Sequence, residues 1–331
     1  MKNELKNNFF VAEDDYWQYF QDFSAFADVL SLTSKSLTPE KKIELFNKFV
    51  FLINLELSTY CNRKCSYCPL SIYPRQQEYM SKELFEKIII QLKEMKYRAG
   101  IVLNFFNEPL LDNHLIERIR YIRINLPDVY LLFNSNGDFL TKDLLNELFE
   151  AGLNLIIVTL QTNPGKCYID SDKREEMLKF LHKIGIPEYF EKRTEILEKN
   201  ITIKATLKPH NQINIYCNNW QTYGNDRGGV LKELSKEVRA IPCTKPFREI
   251  FVKYNGVITP CCNIYFNLNP IYGDLYNNSL IDIYFSKNMI DFRKKLFSFG
   301  DKSGYCTFCN TPDNAEFKTK AERDFVLKNL K

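Results

Sequence analysis

The sequence predicts an α/β fold built on parallel strands, followed by a second and smaller unit. Strand-like and helix-like segments alternate from residue 51 to residue 208, a pattern typical of parallel β/α architecture, either a barrel or a doubly wound sheet. Near residue 215 the composition changes: asparagine, glycine and tyrosine become frequent, and five cysteines fall between residues 243 and 309. These two observations predict one large domain with a cysteine-rich addition.

Each predicted element follows from its hydrophobic period and its end signals. Short apolar runs predict the strands, and the stretches between them have helical spacing. Ser81 is the expected N-cap of one helix, and Thr38-Pro39-Glu40 opens an earlier one. The predicted strands are 51–57, 101–106, 129–135, 155–160 and 201–208. The predicted helices are 81–95, 113–124, 141–152 and a long stretch from 173 to about 200, interrupted near Ile184-Gly185-Ile186-Pro187.

Four parts of the chain follow from these elements. We expect a helical N-terminal extension at 1–50, a β/α domain at 51–235, a second unit at 236–316 and a terminal helix at 317–331. The 331 residues include 45% apolar residues, enough to bury a sizeable core.

Charge and hydropathy argue against two kinds of partner. The net charge of +4 comes from 45 basic and 41 acidic residues that are interleaved, so we expect no nucleic-acid partner. Apolar runs such as that within LNLIIVTL are far too short to span a membrane, so we expect no membrane partner. The start, MKNELKNNFF, lacks an apolar signal core, which favours the cytoplasm. In that reducing compartment, clustered cysteines indicate metal binding or catalysis rather than disulfides.

Three cysteines lie in the segment CNRKCSYC, directly after a predicted strand. Cys61, Cys65 and Cys68 therefore fall in a βα loop, where sites form in parallel folds. Thiolates suit soft metals and iron–sulfur clusters, and three of them leave one iron of a [4Fe–4S] cluster open to a small molecule. The alternative is a zinc ion with a histidine as fourth ligand. The three histidines, His114, His182 and His210, are all distant in sequence.

CNRKCSYC resembles the CxxxCxxC signature of radical S-adenosylmethionine (SAM) enzymes. The resemblance implies a partial, TIM-like (β/α)6 barrel in which the open iron binds the amino and carboxylate groups of SAM. Electron transfer from the cluster then cleaves SAM to a 5′-deoxyadenosyl radical, which abstracts a hydrogen from the substrate. It also implies a flavodoxin- or ferredoxin-type electron donor. Tyr67, an aromatic within the signature, is expected to pack near the adenine.

Further SAM contacts are implied strand by strand. FFNEPLLD resembles the family's Gly-Gly-Glu segment, so Glu108 would hold the SAM amino group, although Phe106-Asn107 replaces Gly-Gly. NSNG resembles the ribose-binding segment, with Ser135 and Asn136 as candidates. Thr159 resembles the Ser or Thr that contacts the SAM carboxylate. The alternatives are a capped helix start at Glu108-Pro109 and a simple turn at Asn136-Gly137.

A second set of cysteines provides four thiols: Cys243, Cys261, Cys306 and Cys309. Four thiolates can fully ligate a [4Fe–4S] cluster, and the alternative is a zinc ribbon. The surrounding sequence resembles the C-terminal α+β iron–sulfur domain called SPASM, or twitch when shortened to one auxiliary cluster. Asn255-Gly256 is expected to form a hairpin turn.

Three other cysteines are not expected to be cluster ligands. Cys262 adjoins Cys261, and neighbours on a strand point to opposite faces, so Cys262 is expected to be a buried thiol while Cys261 is the ligand. Cys167 and Cys217 are expected to be ordinary core residues.

The expected reaction is oxidation of a small polar molecule such as a sugar or cyclitol. The four-cysteine spacing resembles that of twitch-bearing dehydrogenases that oxidise an aminocyclitol alcohol, with the auxiliary cluster taking an electron. Arg227, which resembles the Arg of a related Asn-Arg-Gly segment, is the candidate contact to SAM or substrate; the alternative is a loop cation facing water. Arg75 is expected to form a local ion pair.

Two other functions remain open from the sequence. One is radical modification of a ribosomal peptide by crosslinking, epimerisation or maturation. Enzymes of that kind often carry a separate peptide-recognition domain, for which the lead-in at 1–50 is short. The other is a non-catalytic iron–sulfur or zinc protein, which would keep the cysteines without needing Glu108 or Asn136.

Overall fold

The computed structural model describes most of the chain between Leu37 and Asn310. The described residues are 37–162, 168–186, 194–197, 200–208, 211–218, 225–234, 237–240, 242–265, 272–297 and 300–310. Most of the predicted N-terminal extension (1–36), the predicted terminal helix at 317–331 and Cys167 lie outside them.

Helices and strands alternate through the first half of the described chain. The helices are α1 (Pro39–Phe49), α2 (Lys82–Glu94), α3 (Leu115–Asn125), α4 (Lys142–Glu150), α5 (Asp170–Lys183), α6 (Lys245–Arg248), α7 (Leu280–Tyr284) and α8 (Lys287–Phe297). The strands are β1 (Leu52–Leu55), β2 (Gly100–Val102), β3 (Tyr130–Ser135), β4 (Leu155–Thr159), β5 (Thr194–Leu197), β6 (Asn200–Lys208), β7 (Asn211–Asn218), β8 (Glu249–Val252) and β9 (Ile258–Thr259).

Helix starts agree with the predicted caps. The Ser81 hydroxyl accepts a hydrogen bond from the Leu84 backbone N–H at 3.2 Å, and Thr38 caps α1 with Pro39 in the first turn. Because these side chains satisfy N–H groups that have no partner within the helix, the starts are visible in the sequence.

The nine strands in the described part of the chain belong to one sheet in the order β5-β6-β7-β4-β3-β2-β1-β8-β9. The neighbours from β7 through β4, β3, β2 and β1 to β8 are parallel, which confirms the predicted α/β class. The sheet therefore has six parallel strands, as the (β/α)6 prediction implies. However, the sixth, β8, lies beside β1 rather than beside the fifth.

Two predictions between residues 173 and 208 are wrong. The helix does not reach about residue 200: α5 ends at Lys183, Gly185 takes a positive φ of 73°, and β5 follows. The fifth parallel strand is β7, and β6 at 200–208 is its antiparallel neighbour. Only two residues separate β6 from β7, and a parallel crossover needs a dozen or more, so these strands have to pair as a hairpin.

The main core lies between one face of the sheet and the helices. Ile53, Ile101 and Phe133 from the strands, with Ile88 and Leu148 from the helices, are all fully buried in it. The opposite face carries a small cluster of Val102, Leu132 and Leu155, together with polar side chains such as Asn54 and Asn134. The sheet thus has one face packed for stability and one face partly polar.

The predicted hairpin at Asn255-Gly256 is confirmed, because β8 and β9 pair antiparallel and Gly256 has a φ of 78°. In the part of the chain that the structure describes, there is no helix of the length and apolar character required to cross a membrane.

Candidate functional site

Predicted site residues follow neighbouring parallel strands at one edge of the sheet. The cysteine loop begins after β1, Glu108 follows β2, Ser135 ends β3 and Thr159 ends β4. Carboxyl ends of parallel strands meet at a common edge, so residues far apart in sequence converge there.

The three-cysteine loop is held by its own backbone and by the turn after β3. The Cys68 backbone N–H donates to the Cys65 carbonyl at 2.9 Å. The Arg63 guanidinium donates through Nε to Asp138 Oδ2 at 2.8 Å, and the Asn62 amide donates to the same oxygen at 2.7 Å. The loop conformation is therefore tied to the turn after β3, as a fixed set of ligands requires.

The three thiols share one partly buried environment. Burial raises the pKa of Cys65 to about 11 and also raises the pKa values of Cys61 and Cys68, and the three groups interact electrostatically. Leu70, Phe106 and Tyr265 form an apolar cluster against which Cys61 and Cys68 pack. Three soft donors within an apolar shell fit a three-thiolate iron–sulfur cluster, whose properties depend on that shell.

No group of three Cys, His, Asp or Glu side chains in the described part of the chain is arranged to hold a single metal ion. An iron–sulfur cube is wider than one ion and keeps its cysteine ligands apart. A cluster site therefore differs from a mononuclear one in the distance between its thiols.

Glu108, Ser135 and Asn136 form one buried network. Glu108 Oε1 accepts hydrogen bonds from the Ser135 hydroxyl at 2.7 Å and the Leu110 N–H at 3.1 Å, and Oε2 accepts from the Asn136 N–H at 2.7 Å. The Asn136 amide also donates to Asn62 Oδ1 at 2.8 Å and approaches Cys61 Sγ at 3.9 Å. Burial raises the pKa of the Glu108 carboxyl. Three predicted site residues thus meet next to the first cysteine.

The departure from Gly-Gly before Glu108 has a structural explanation. The Phe106 ring packs edge-on against Tyr265 at 5.1 Å between centroids. The Asn107 side chain accepts at Oδ1 from the Phe105 N–H at 2.8 Å, and its Nδ2 donates to the Ser58 hydroxyl at 3.3 Å. These side chains fill space and fix the turn.

Thr159 lies at the end of β4, whereas Tyr67 lies within the three-cysteine loop. Thr159 ends β4 half-buried on the same sheet edge, opposite Tyr216 of β7. Tyr67 was predicted to lie near the adenine. Its side chain is largely buried and its hydroxyl lies beside the Cys65 thiol; burial first, and then this neighbour, raise the pKa of the phenol. Tyr67 therefore borders a thiol of the first set.

Arg227 lies between the two cysteine sets. Its guanidinium Nη1 donates to Asn263 Oδ1 at 2.9 Å, and its positive charge acts on Tyr67 and Cys68. Its φ of 52° is left-handed, an uncommon conformation for a residue other than glycine. The backbone N–H donates to Asn225 Oδ1 at 3.0 Å, which stabilises that conformation.

The four-thiol set occupies the loops around β8, β9 and α8. The Cys243 N–H donates to the Leu296 carbonyl at 2.9 Å, and Cys309 interacts electrostatically with Cys261 and Cys306. Burial raises the pKa of Cys306 to about 11. A hydrogen bond between the adjacent thiols raises the pKa of Cys261 and lowers that of Cys262 to about 6. Four thiols in one partly buried region fit a fully ligated cluster.

The neighbours of the two adjacent cysteines differ. The Asn263 N–H donates to Cys261 Sγ at 3.4 Å, whereas the Cys262 thiol points to Asn263 Oδ1 at 3.8 Å. Cys217, expected to be a core residue, is fully buried within the main core, which confirms that expectation.

Sequence reasoning missed a buried ion pair beside the site. Arg75 was expected to pair locally, but it donates to Glu56 at 2.7 and 3.1 Å across 19 residues. Arg75 Nη2 also donates to the Phe106 carbonyl at 2.7 Å. Glu56 is fully buried at the end of β1. The available signal was a glutamate at the end of the apolar run FLINLEL, because a buried carboxylate requires a partner.

Two family models match the chain. The "Radical SAM superfamily" model matches residues 55–202, and the "Iron-sulfur cluster-binding domain" model, SPASM, matches residues 243–310. The first covers the three-cysteine loop and the Glu108 network, and the second covers all four thiols of the other set.

Individual relatives cover different shares of the chain. An S-adenosyl-L-methionine-dependent 2-deoxy-scyllo-inosamine dehydrogenase from Niallia circulans is 25% identical over 284 residues, 85% of this chain and 100% of that protein. A GTP 3′,8-cyclase from Helicobacter pylori is 26% identical over 49% of this chain and 48% of its own length. A solved structure, BtrN in complex with AdoMet and 2-DOIA, superposes with a TM-score of 0.59 at 24% identity, covering 79% of this chain and 93% of that one. At this sequence identity, the superposition shows a shared fold.

Proposed function

The chain belongs to the radical SAM superfamily and carries a C-terminal iron–sulfur cluster-binding domain, and on that basis we propose that it oxidises a hydroxyl of a cyclitol or related small polyol. It is an oxidoreductase that uses SAM and two [4Fe–4S] clusters. The observation that carries the substrate class is the relative from Niallia circulans, a dehydrogenase matched over its whole length.

In this proposal Cys61, Cys65 and Cys68 hold the first cluster. Cys243, Cys261, Cys306 and Cys309 hold the second. When bound, the first cluster together with SAM would supply reductive cleavage of SAM and abstraction of one substrate hydrogen atom, and the second cluster would accept one further electron, so that an alcohol becomes a ketone with loss of a proton.

The chain's own residues position SAM and limit access of water. We assign Glu108 to the SAM amino group, Ser135 and Asn136 to the ribose, and Thr159 to the carboxylate. Glu108 is suited to bind an ammonium group because it is already fixed by three hydrogen bonds and needs little reordering. We also assign Tyr67, which lies beside Cys65, to the adenine of SAM.

Arg227 has the position expected of a substrate contact. Its guanidinium lies between the two cysteine sets, and its Nε is buried without a hydrogen-bond partner in the described structure. An unpaired buried donor favours an acceptor such as a substrate hydroxyl oxygen. The apolar cluster of Leu70, Phe106 and Tyr265 would exclude water from the same region.

Reduction of the first cluster requires an external donor, and we propose a small flavodoxin- or ferredoxin-type protein. This assignment agrees with the reducing cytoplasm expected from the sequence, where such donors and reduced thiols coexist.

The test is an anaerobic assay of the reconstituted, reduced enzyme. With 2-deoxy-scyllo-inosamine and a panel of neutral cyclitols and sugars, we expect substrate-dependent 5′-deoxyadenosine and a product two hydrogens lighter. Cys65→Ala should abolish both products, whereas Cys262→Ala should retain them. Turnover of peptides but of no polyol would overturn the proposal in favour of peptide modification.

A further inference from the structure

Cys309, a thiol of the second set, is surrounded by nitrogen donors. Asn225 Nδ2 lies 3.6 Å from Cys309 Sγ and Asn263 Nδ2 lies 3.7 Å from it. Arg239 Nη1 is 4.0 Å from the same sulfur and 3.3 Å from the Cys309 carbonyl oxygen. These donors come from three separate loops, so their convergence on one sulfur is a property of the fold.

The two amides are oriented by other contacts. Asn263 Oδ1 accepts from the Arg227 guanidinium at 2.9 Å, and Asn225 Oδ1 accepts from the Arg227 backbone N–H at 3.0 Å. With each amide oxygen engaged by Arg227, each NH₂ group faces the sulfur, and that of Asn225 also donates to Asn310 Oδ1 at 2.8 Å. Asn225 and Asn263 are both buried, at 8% and 5% exposure, which keeps competing water away.

The first cysteine set has a different environment. The donors described there are Asn136 Nδ2, at 3.9 Å from Cys61 Sγ, the Arg63 backbone N–H at Cys61, the Tyr67 hydroxyl at Cys65 and the Leu70 backbone N–H at Cys68. They are spread over three thiols rather than gathered on one. The charged Arg239, itself 5% exposed, contacts Cys309 of the second set, whereas Arg63 and Arg75 act electrostatically on Cys65 and Cys68 of the first.

Hydrogen bonds to cluster sulfurs stabilise the reduced, more negative state and so raise the reduction potential. We propose that Asn225, Asn263 and Arg239 hold the auxiliary cluster at a higher reduction potential through Cys309, and that Arg227 is the positioning residue that orients both amides. The inference rests on the proposed role of this cluster as electron acceptor. It identifies the side chains that favour acceptance of an electron by this cluster.

The test is an anaerobic potentiometric titration of the reconstituted holoenzyme, followed by electron paramagnetic resonance without substrate. Adding SAM alters only the signal of the cluster with an open iron, which distinguishes the two centres. At the potential where half of the wild-type auxiliary cluster is reduced, we expect Asn263→Leu to lower the reduced-to-oxidised ratio about threefold or more, and Asn225→Leu to act in the same direction. The signal of the SAM-binding cluster should titrate as in the wild type.

Asn47→Leu is the matched control, because Asn47 Nδ2 donates to the Met95 carbonyl at 2.8 Å away from both cysteine sets. It should leave both potentials unchanged. Wild-type potentials in both leucine variants, with iron and sulfide content retained, would overturn the proposal. Loss of the auxiliary cluster in both variants would also overturn it, since the amides would then serve assembly. The titration uses no substrate, so its result does not depend on whether a polyol is oxidised.

Discussion

Glu108 shows how a single residue links distant parts of the site. Its carboxylate connects the end of β3 to the loop after β2 through Ser135 and Asn136, and its backbone N–H donates to the Tyr60 carbonyl at 2.9 Å in the cysteine loop. The cysteines and Glu108 could be singled out from the sequence because their signals are local motifs. The hydrogen bonds to Cys309 could not, since its partners lie up to 84 residues away.

Replacing Glu108 tests its assignment to the SAM amino group. Glu108→Gln removes the negative charge and turns an NH₂ group towards existing donors, so we expect SAM to bind about tenfold more weakly. Equilibrium binding of SAM to reconstituted, unreduced enzyme measures this. Glu117→Gln is the control, because Glu117 is a surface residue with 66% side-chain exposure. Equal affinities in both variants would contradict the assignment.

The adjacent pair Cys261 and Cys262 allows a direct test of the ligand assignment. The wild type should hold about eight irons per chain, because two four-iron clusters are expected. We expect Cys261→Ala to hold about four and Cys262→Ala about eight, measured as iron and sulfide per chain. The reverse order would assign Cys262 as the ligand.

At the scale of elements, short connections decide the topology. The sequence shows the helix starts through their caps and the parallel strands through their apolar runs. It does not show whether a β-rich run such as β6 joins the parallel set or pairs back as a hairpin. The distance between β6 and β7 along the chain decides that, and in the sequence the β7 segment is marked only by a change in composition.

The Arg75–Glu56 pair joins the cysteine loop to the end of β1, and its loss should weaken the whole site. Arg75→Met leaves the fully buried Glu56 carboxylate without its ion-pair partner, although backbone N–H groups of Phe106 and Tyr254 still donate to it, and the change should cost about 3 kcal/mol of unfolding free energy. Anaerobic denaturant titration measures the loss.

Arg120→Met provides the comparison, because the Arg120–Glu147 pair is exposed and should contribute less than about 1 kcal/mol. Adding Glu56→Gln to Arg75→Met should restore part of the stability. A loss in Arg75→Met no greater than that in Arg120→Met would refute a structural role for the buried pair.

For the whole molecule, the second cysteine region is joined to the sheet itself. Strand β8, from within residues 243–310, pairs in parallel with β1, the strand that leads into the three-cysteine loop. The alternation of elements predicted the parallel class, but strand order depends on tertiary pairing and could not be read from local pattern. The shared sheet places both cysteine sets on one framework, with Arg227 between them.

In this account the first cysteine set supports cleavage of SAM and the second accepts an electron from the substrate. The most direct test removes the second cluster while keeping the first. With a polyol deuterated at the oxidised carbon, the wild type should form one deuterated 5′-deoxyadenosine per ketone. Cys306→Ala/Cys309→Ala should still bind and cleave SAM with deuterium transfer but should form little ketone, because the second electron has no acceptor. Ketone formation by this variant at the wild-type ratio would contradict the account.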